Sequence, residues 1–377
     1  MLRRFIWEDP NWPALQTDLA LLGPSLDGAI YDQGSVTGAI RALAQNDRTR
    51  VEIDALSETA LETSEIEGEH ISADSVRASL ARRLRLPTSA EQSARDPRAD
   101  GVVELTVDAT RNANAPLTAE RLWAWQSGLL PDAPRSLTVG AWRNSADDPM
   151  QVVSGPVDQR VVHFEAPPAN RVPREMDTFL AWTEQPEQRS TLVTAAIAHL
   201  WFVTIHPFAD GNGRIARAIA DLVLAREEKQ VAPYVSLSRQ IRKERAAYYE
   251  ALERAQRGTL DVTQWVSWFI DCYRRATNDT LEAVDDLVRA AAFWREHGEI
   301  DFNARQRRVL ERYLAGGFQG WLNSRKYSAI AKTSPDTAQR DLADLVHKGI
   351  IVPNEGRARK TSYRMQSTYD PNERDDA

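Results

Sequence analysis

The chain has 377 residues, room for two or three domains of ordinary size. At 42% hydrophobic and 27% charged it is a folded globular chain and not a disordered one, and its net charge of −7 argues against nucleic-acid binding over the whole surface. Cys272 is the only cysteine, which excludes an internal disulfide and a cysteine metal cluster.

The start, Met1-Leu-Arg-Arg-Phe-Ile-Trp-Glu-Asp-Pro10, carries charges too early and too often for a secretory signal. No apolar run reaches the roughly 18 residues needed to span a bilayer, so the expectation is a cytoplasmic protein with no membrane contact. Trp7, Pro10, Trp12 and Pro13 form a compact aromatic and proline cluster, expected to pack onto a helix start. Residues 14–60 have helical spacing with a break predicted at Gly23-Pro24, and helix-forming runs continue from residue 35 to 62. In Leu61-Glu-Thr-Ser-Glu-Ile-Glu-Gly-Glu-His70, Thr63 and Glu67 are four apart and share a helix face, and Gly68 can end the helix or allow close packing. On residue types alone, Glu65, Glu67 and Glu69 also read as a solvated acidic face. Residues 72–100 predict a helix bearing Arg82, Arg83 and Arg85, then a polar loop through Pro87 and Asp96-Pro97; these arginines read as a surface face.

The core is expected from Leu117, with Thr118 capping a helix that carries Leu122, Trp123 and Trp125. After Gly140-Ala-Trp-Arg143, two β-rich runs around Gly155-Pro156 predict a hairpin over residues 151–164, with His163 a surface residue. Val172–Thr183 predicts a helix with Met176, Phe179, Leu180 and Trp182 inward, separated by Pro186 from a largely buried helix over residues 194–205. His199, in apolar surroundings, reads as a buried, hydrogen-bonded imidazole and not as a metal ligand.

That helix runs into His206-Pro-Phe-Ala-Asp-Gly-Asn-Gly-Arg-Ile-Ala-Arg217, and strong helix formers follow to Ala225. A glycine-rich loop opening onto a helix N-terminus is a ready anion site, because unpaired N–H groups and the helix dipole face it. Gly211 and Gly213 let the backbone approach an anion closely. Arg214 and Arg217, one turn apart, present two guanidinium forks suited to phosphate oxygens. Asp210 is a hard oxygen ligand of the kind that holds Mg²⁺ against a nucleotide, and His206 can serve as general base. His206 with Asp210 could also be read as a zinc pair, but no third ligand is evident nearby.

Every fixed position of this stretch matches His-Pro-Phe-x-x-Gly-Asn-Gly-Arg-x-x-Arg, and the chain is identified by it as resembling the Fic family. The resemblance implies transfer of AMP from ATP to a Ser, Thr or Tyr hydroxyl of a protein, itself included. It implies His206 as the base, Mg²⁺ on Asp210, the α/β-phosphates on Gly211, Asn212 and Gly213, and the β- and γ-phosphates on Arg214 and Arg217. It further implies that the hairpin is a flap aligning a target segment by strand addition. The Thr63-x-x-x-Glu67-Gly68 pattern resembles the inhibitory helix of autoinhibited Fic proteins, in which Glu67 would pair with Arg217 and block productive γ-phosphate placement. Tyr248 and Tyr249 lie in a segment similar to one that contacts the nucleotide base and sugar in the family, although either could be core. The opening at Trp7–Pro13 resembles a small helical domain that precedes Fic cores in bacteria.

Beyond the motif, residues 263–273 read as the last core helix, packing Trp265, Trp268 and Phe269 with Cys272 a buried thiol. A connecting helix is expected over 276–298. Helices near 303–314, 328–332 and 334–349, followed by two short strands, resemble a winged helix-turn-helix. Its third helix carries Asp336, Asp341 and Asp344 beside only Arg340 and Lys348, whereas the wing Arg357-Ala-Arg-Lys360 is basic; DNA contact and a protein-interaction or homodimer role both stay open. Residues 370–377 read as a disordered tail.

The expected fold is therefore mainly α: N-terminal helices with the inhibitory helix in 1–110, a Fic-type core with a β-hairpin flap in 111–285, and a winged helix-turn-helix in 286–377. The expected function is protein adenylyl transfer with ATP and Mg²⁺, restrained by Glu67. Removal of AMP at the same site is one alternative, and a nucleotide-sensing transcription regulator is another.

Overall fold

In a computed structural model, residues 5–86, 95–144, 148–154, 160–185, 190–227, 234–314, 320–354 and 362–365 are described. The turn at Gly155-Pro156, Pro87, Pro186, the basic residues 357–360 and the tail 370–377 fall outside them. The protein is mainly α-helical, and the two sheets among the described residues are two-stranded ladders. Contacts divide it into one unit of residues 1–38 and 48–278 and a second of residues 39–47 and 279–377. No helix among the described residues is long and apolar enough to cross a membrane.

In chain order the first unit begins with a 3-10 turn, Ile6–Glu8, and then α1 (Leu19–Ala42), which continues past its boundary. The predicted break at Gly23-Pro24 is corrected: α1 runs through Pro24. Pro24 sits only one turn into the helix, so it removes a single intrahelical bond, while Leu22, Ala29, Asp32 and Val36 still form one buried stripe. The aromatic opening packs onto a helix start, as expected: Glu175 lies in the first turn of the helix Val172–Thr183, and Arg171 at its N-cap sits over the Trp7 ring. Phe5 meets Phe164 edge-on, the Trp7 indole donates to the Glu165 carbonyl at 2.7 Å, and the Trp12 indole to Glu175 at 2.8 Å.

α2 (Gln45–Ile66) ends at Gly68, whose φ of +79° is the left-handed conformation that suits glycine. After α3 (Ala73–Arg83) comes α4 (Pro97–Arg111), unforeseen in the sequence. Asp96 and Pro97, expected in a loop, are its N-cap and first residue, with Asp96 accepting from the Arg98 amide at 3.1 Å. Arg82 and Arg83 pair with Asp100 and Glu104 of α4 at 2.8 and 2.6 Å. α4 crosses α5 (Ala119–Leu129), which Thr118 caps, so closely that a Cβ on Gly101 would lie 1.8 Å from the Gly128 carbonyl oxygen. Gly101→Ala should therefore cost about 3 kcal/mol in urea unfolding, because backbone must move. Gly128→Ala, whose Cβ would meet Gly101 Cα at an ordinary 3.6 Å, should be nearly neutral.

β1 (Gln151–Ser154) and β2 (Val161–Glu165) pair antiparallel with a register shift between Val152 and Val153. β2 is held from the core side: Arg257 donates to the Val162 and His163 carbonyls, and the His163 ring lies 2.9 Å from Glu253. α6 (Val172–Thr183) buries Met176 and Phe179, with Leu180 and Trp182 half-buried. α7 (Thr191–Ile205) is apolar all round and buried all round, the central rod of the unit. It packs along α8 (Asn212–Glu227), and α9 (Leu237–Lys243), α10 (Arg245–Gln256) and the start of α11 (Thr263–Glu296) complete the unit. The predicted last core helix and connecting helix are one element, because nothing between Cys272 and Thr280 breaks helical geometry.

His199 is fully buried on α7, 3.2 Å from the Tyr248 hydroxyl and stacked on Trp265. Burial pushes its imidazole down to about 3, with Arg217 adding to the effect. A histidine depressed on folding stabilises the protein above its unfolded pKa, and that stability is lost as pH falls from about 6.5 toward the folded value. Unfolding at pH 6.5 and at pH 5 should thus show a loss of about 2 kcal/mol that His199→Gln lacks.

In the second unit α12 (Ala304–Leu314), α13 (Ser324–Ala331) and α14 (Pro335–His347) enclose Val309, Leu310, Tyr327, Leu342 and Leu345, beside the antiparallel pair β3 (Ile351–Pro353) and β4 (Tyr363–Met365). The second of these helices begins earlier than expected, capped by Asn323. Asp341, counted in the sequence as a charge on the third helix, is buried and held by Arg305 at 2.8 Å and Tyr327 at 3.0 Å.

Candidate active site at the N-terminus of the second motif helix

The site forms where α7 gives way to α8. α7 stops at His206, which takes a left-handed backbone (φ +52°) that costs a non-glycine residue roughly 1–2 kcal/mol. The ring is oriented by Nδ1, 3.1 Å from the Val203 carbonyl, an acceptor that favours a proton on Nδ1 and leaves Nε2 as the basic nitrogen. Burial, with Arg143 adding to it, brings the imidazole down to about 4 against the Val203 hydrogen bond and the charges of Glu67 and Asp210. His206 is therefore neutral at pH 7, as a base must be.

Gly211, at φ +90°, makes the turn that no other residue makes cheaply. Asn212 is buried, and its side chain is used within the loop: Oδ1 accepts from the Phe208 amide at 3.0 Å and Nδ2 donates to the Phe208 carbonyl at 2.8 Å. What Asn212 offers an anion is its backbone amide, one of the α8 N–H groups without an intrahelical acceptor. Asp210 is exposed; its Oδ1 accepts from the Gly211 amide at 2.6 Å, with Arg214 3.7 Å away.

Arg214 and Arg217 are 2% and 1% exposed, an unusual depth for two cations. Arg217 donates from Nε to Thr63 Oγ1 (2.8 Å) and from Nη2 to the Thr63 carbonyl (2.9 Å) and Glu67 Oε1 (2.8 Å). Burial works against its charge, but Glu67 more than compensates and raises its pKa. Arg214 donates from Nη1 to Glu69 at 2.6 Å. Thr63, Glu67 and Glu69 thus all meet the motif arginines, while the two carboxylates keep part of their surface in water. Glu67 also lies on the helix N-terminus itself: a Cβ on Gly213 would stand 2.1 Å from Glu67 Oε1. A carboxylate occupies the place where an anion would sit.

Two buried donors, Arg214 Nε and Arg217 Nη1, have no hydrogen-bond partner. Orphaned guanidinium N–H groups at an anion cradle fit phosphate oxygens. No group of three or more metal-capable side chains occurs among the described residues. Asp210 alone, with its second oxygen unclaimed, fits a Mg²⁺ that keeps water and phosphate ligands, and does not fit zinc. Tyr248 is buried against His199 and Trp265, a core position. Tyr249 is half-buried, its hydroxyl 3.4 Å from the Ile66 carbonyl and its ring under Arg245, beside the end of α2. Sequence reasoning missed Glu69 and Arg143, whose contacts join segments far apart in the chain.

The helical fold and this motif loop define a Fic-type domain. Residues 116–224 match the Fic/DOC family, so the chain carries a Fic-type domain there; residues 5–86 match a domain of unknown function, DUF4172. The protein adenylyltransferase Fic of Drosophila melanogaster is 36% identical over 115 residues, 30% of this chain and 22% of that protein. The one of Nematostella vectensis is 33% identical over 126 residues, 33% of this chain and 28% of that protein. The chain therefore spans about a quarter of the length of these relatives. A Fic family protein from Desulfovibrio desulfuricans G20 shares the fold, with a TM-score of 0.52 at 22% identity over 91% of this chain and 96% of that one.

Proposed function

We propose that the protein transfers AMP from ATP to a hydroxyl of a protein in the cytoplasm, with the 61–70 segment holding it in check. The observation that carries this is the pairing of a neutral, oriented His206 with a deep double-arginine anion cradle on one loop. His206 Nε2 takes the proton of the attacking hydroxyl. The α8 amides and Arg214 and Arg217 hold the triphosphate so that the α-phosphorus faces that hydroxyl, and they neutralise charge as pyrophosphate leaves. Mg²⁺ on Asp210 would add charge neutralisation. β1 pairs only with β2 among the described residues and exposes Val152 and Val153, an edge suited to a target strand.

Restraint rests on competition: Glu67 on the α8 N-terminus and Glu69 on Arg214 stand where phosphate oxygens would. Tyr249, touching the end of α2, would meet the nucleoside of the bound ATP. The division proposed with this reading is regulatory helices in 1–110, catalytic core in 111–285 and a winged-helix-like part in 286–377. Label transfer from α-phosphate-labelled ATP onto protein tests it.

A further inference from the structure

We infer that Arg143, buried between the flap and the motif loop, is the residue that positions His206 and the flap against each other for transfer. This rests on the transfer reading above. Its side chain is fully buried and its bonds reach three separate segments. Nε donates to the His206 carbonyl at 2.8 Å, and the Arg143 amide donates to the Pro207 carbonyl at 2.9 Å. Nη2 donates to the carbonyl of Pro167, just beyond β2. Nη1 donates at 2.7 Å to Asp148, just before β1, and the other Asp148 oxygen accepts from the Ala169 amide at 2.9 Å.

One guanidinium thus fixes both ends of the hairpin and the carbonyl of the base itself. His206 holds a left-handed backbone, so its ring direction depends on what anchors that peptide, and Arg143 is the anchor. A hydroxyl presented by the flap must meet Nε2 within hydrogen-bond reach, and an error near 1 Å is enough to cost rate. Arg143 touches neither nucleotide site residues on α8 nor the 61–70 segment in any of these bonds. Its loss should therefore act on the chemical step and spare ATP binding. Lysine can replace one of the bonds but not the planar fork.

The test uses the full chain carrying Glu67→Gly, with Arg143→Lys, Arg143→Met and Asp148→Asn each added. Asp148→Asn keeps the guanidinium and weakens only its link to the flap, so it stays informative if an Arg143 variant folds poorly. We expect kcat to fall at least tenfold for Arg143→Lys, further for Arg143→Met and less for Asp148→Asn, with KM for ATP within twofold throughout. Imidazole NMR signals, assigned with His206→Asn and His199→Gln, give a readout that needs no activity. The His206 signals should move in Arg143→Lys and Asp148→Asn while those of His199 stay. Unchanged kcat, a KM that rises in step with the loss, or His206 signals that do not move would overturn the inference. Absence of transfer in the Glu67→Gly parent would instead sink the transfer reading, with the NMR signals still deciding the role of Arg143.

Discussion

Glu67→Gly should raise protein labelling from ATP by roughly 10–100-fold, the range of a coupling free energy of a few kcal/mol between two competing occupants of one site. The carboxylate now lies on the first turn of α8 and on Arg217, and both must be vacated before a triphosphate can seat. Removing it also leaves Arg217 buried with one of its three acceptors gone, which favours an anionic ligand in its place. Glu69→Gln should add to the effect, but less. Its side chain is 36% exposed, so water screens the pair with Arg214 and its worth is nearer that of a surface ion pair. The rates of the two single variants and the double, measured at saturating target and varied ATP, check this. The increase should appear mainly as a lower KM for ATP, since the carboxylates compete with phosphates. A double variant no faster than Glu67→Gly would remove Glu69 from the account.

His206→Asn should cut transfer by about 10²–10⁴-fold, the usual worth of a positioned general base. Asparagine tolerates the left-handed backbone at this position better than alanine does, so the variant removes the base while keeping the loop. ATP binding, measured directly, should persist, because the phosphate contacts belong to α8 and its arginines. With the imidazole lowered to about 4, transfer should be insensitive to its protonation from neutral pH down to about 5, then fall tenfold per unit below the pKa. Equal losses of ATP affinity and rate would mean that His206 holds the loop and does no chemistry.

The motif was legible because its residues lie within twelve positions and a loop between two helices brings them together by local geometry alone. Glu67 was legible for a related reason: Thr63 and Glu67 share a face at one-turn spacing, and that face meets Arg217. What sequence could not give was contact between distant segments. Glu69 looked like one more surface acid until the turn after α2 placed it against Arg214, 145 residues away in the chain. Arg143 reaches His206 and Pro167 from outside every local pattern. α4 was hidden by its Val and Thr content, which suits a strand by propensity, and it is helical because its apolar face is buried against α5 and α8. The break predicted at Pro24 failed for the converse reason: a local rule lost to a continuous buried stripe.

The central claim is that this loop moves the α-phosphoryl group of ATP, and one comparison tests it. The full chain carrying Glu67→Gly is incubated with Mg²⁺ and a protein extract, in parallel with ATP labelled at the α- and at the γ-phosphate, with and without His206→Asn. The account predicts label on protein from the α-position only, lost with His206→Asn. Label from the γ-position, or α-label that survives His206→Asn, would contradict it.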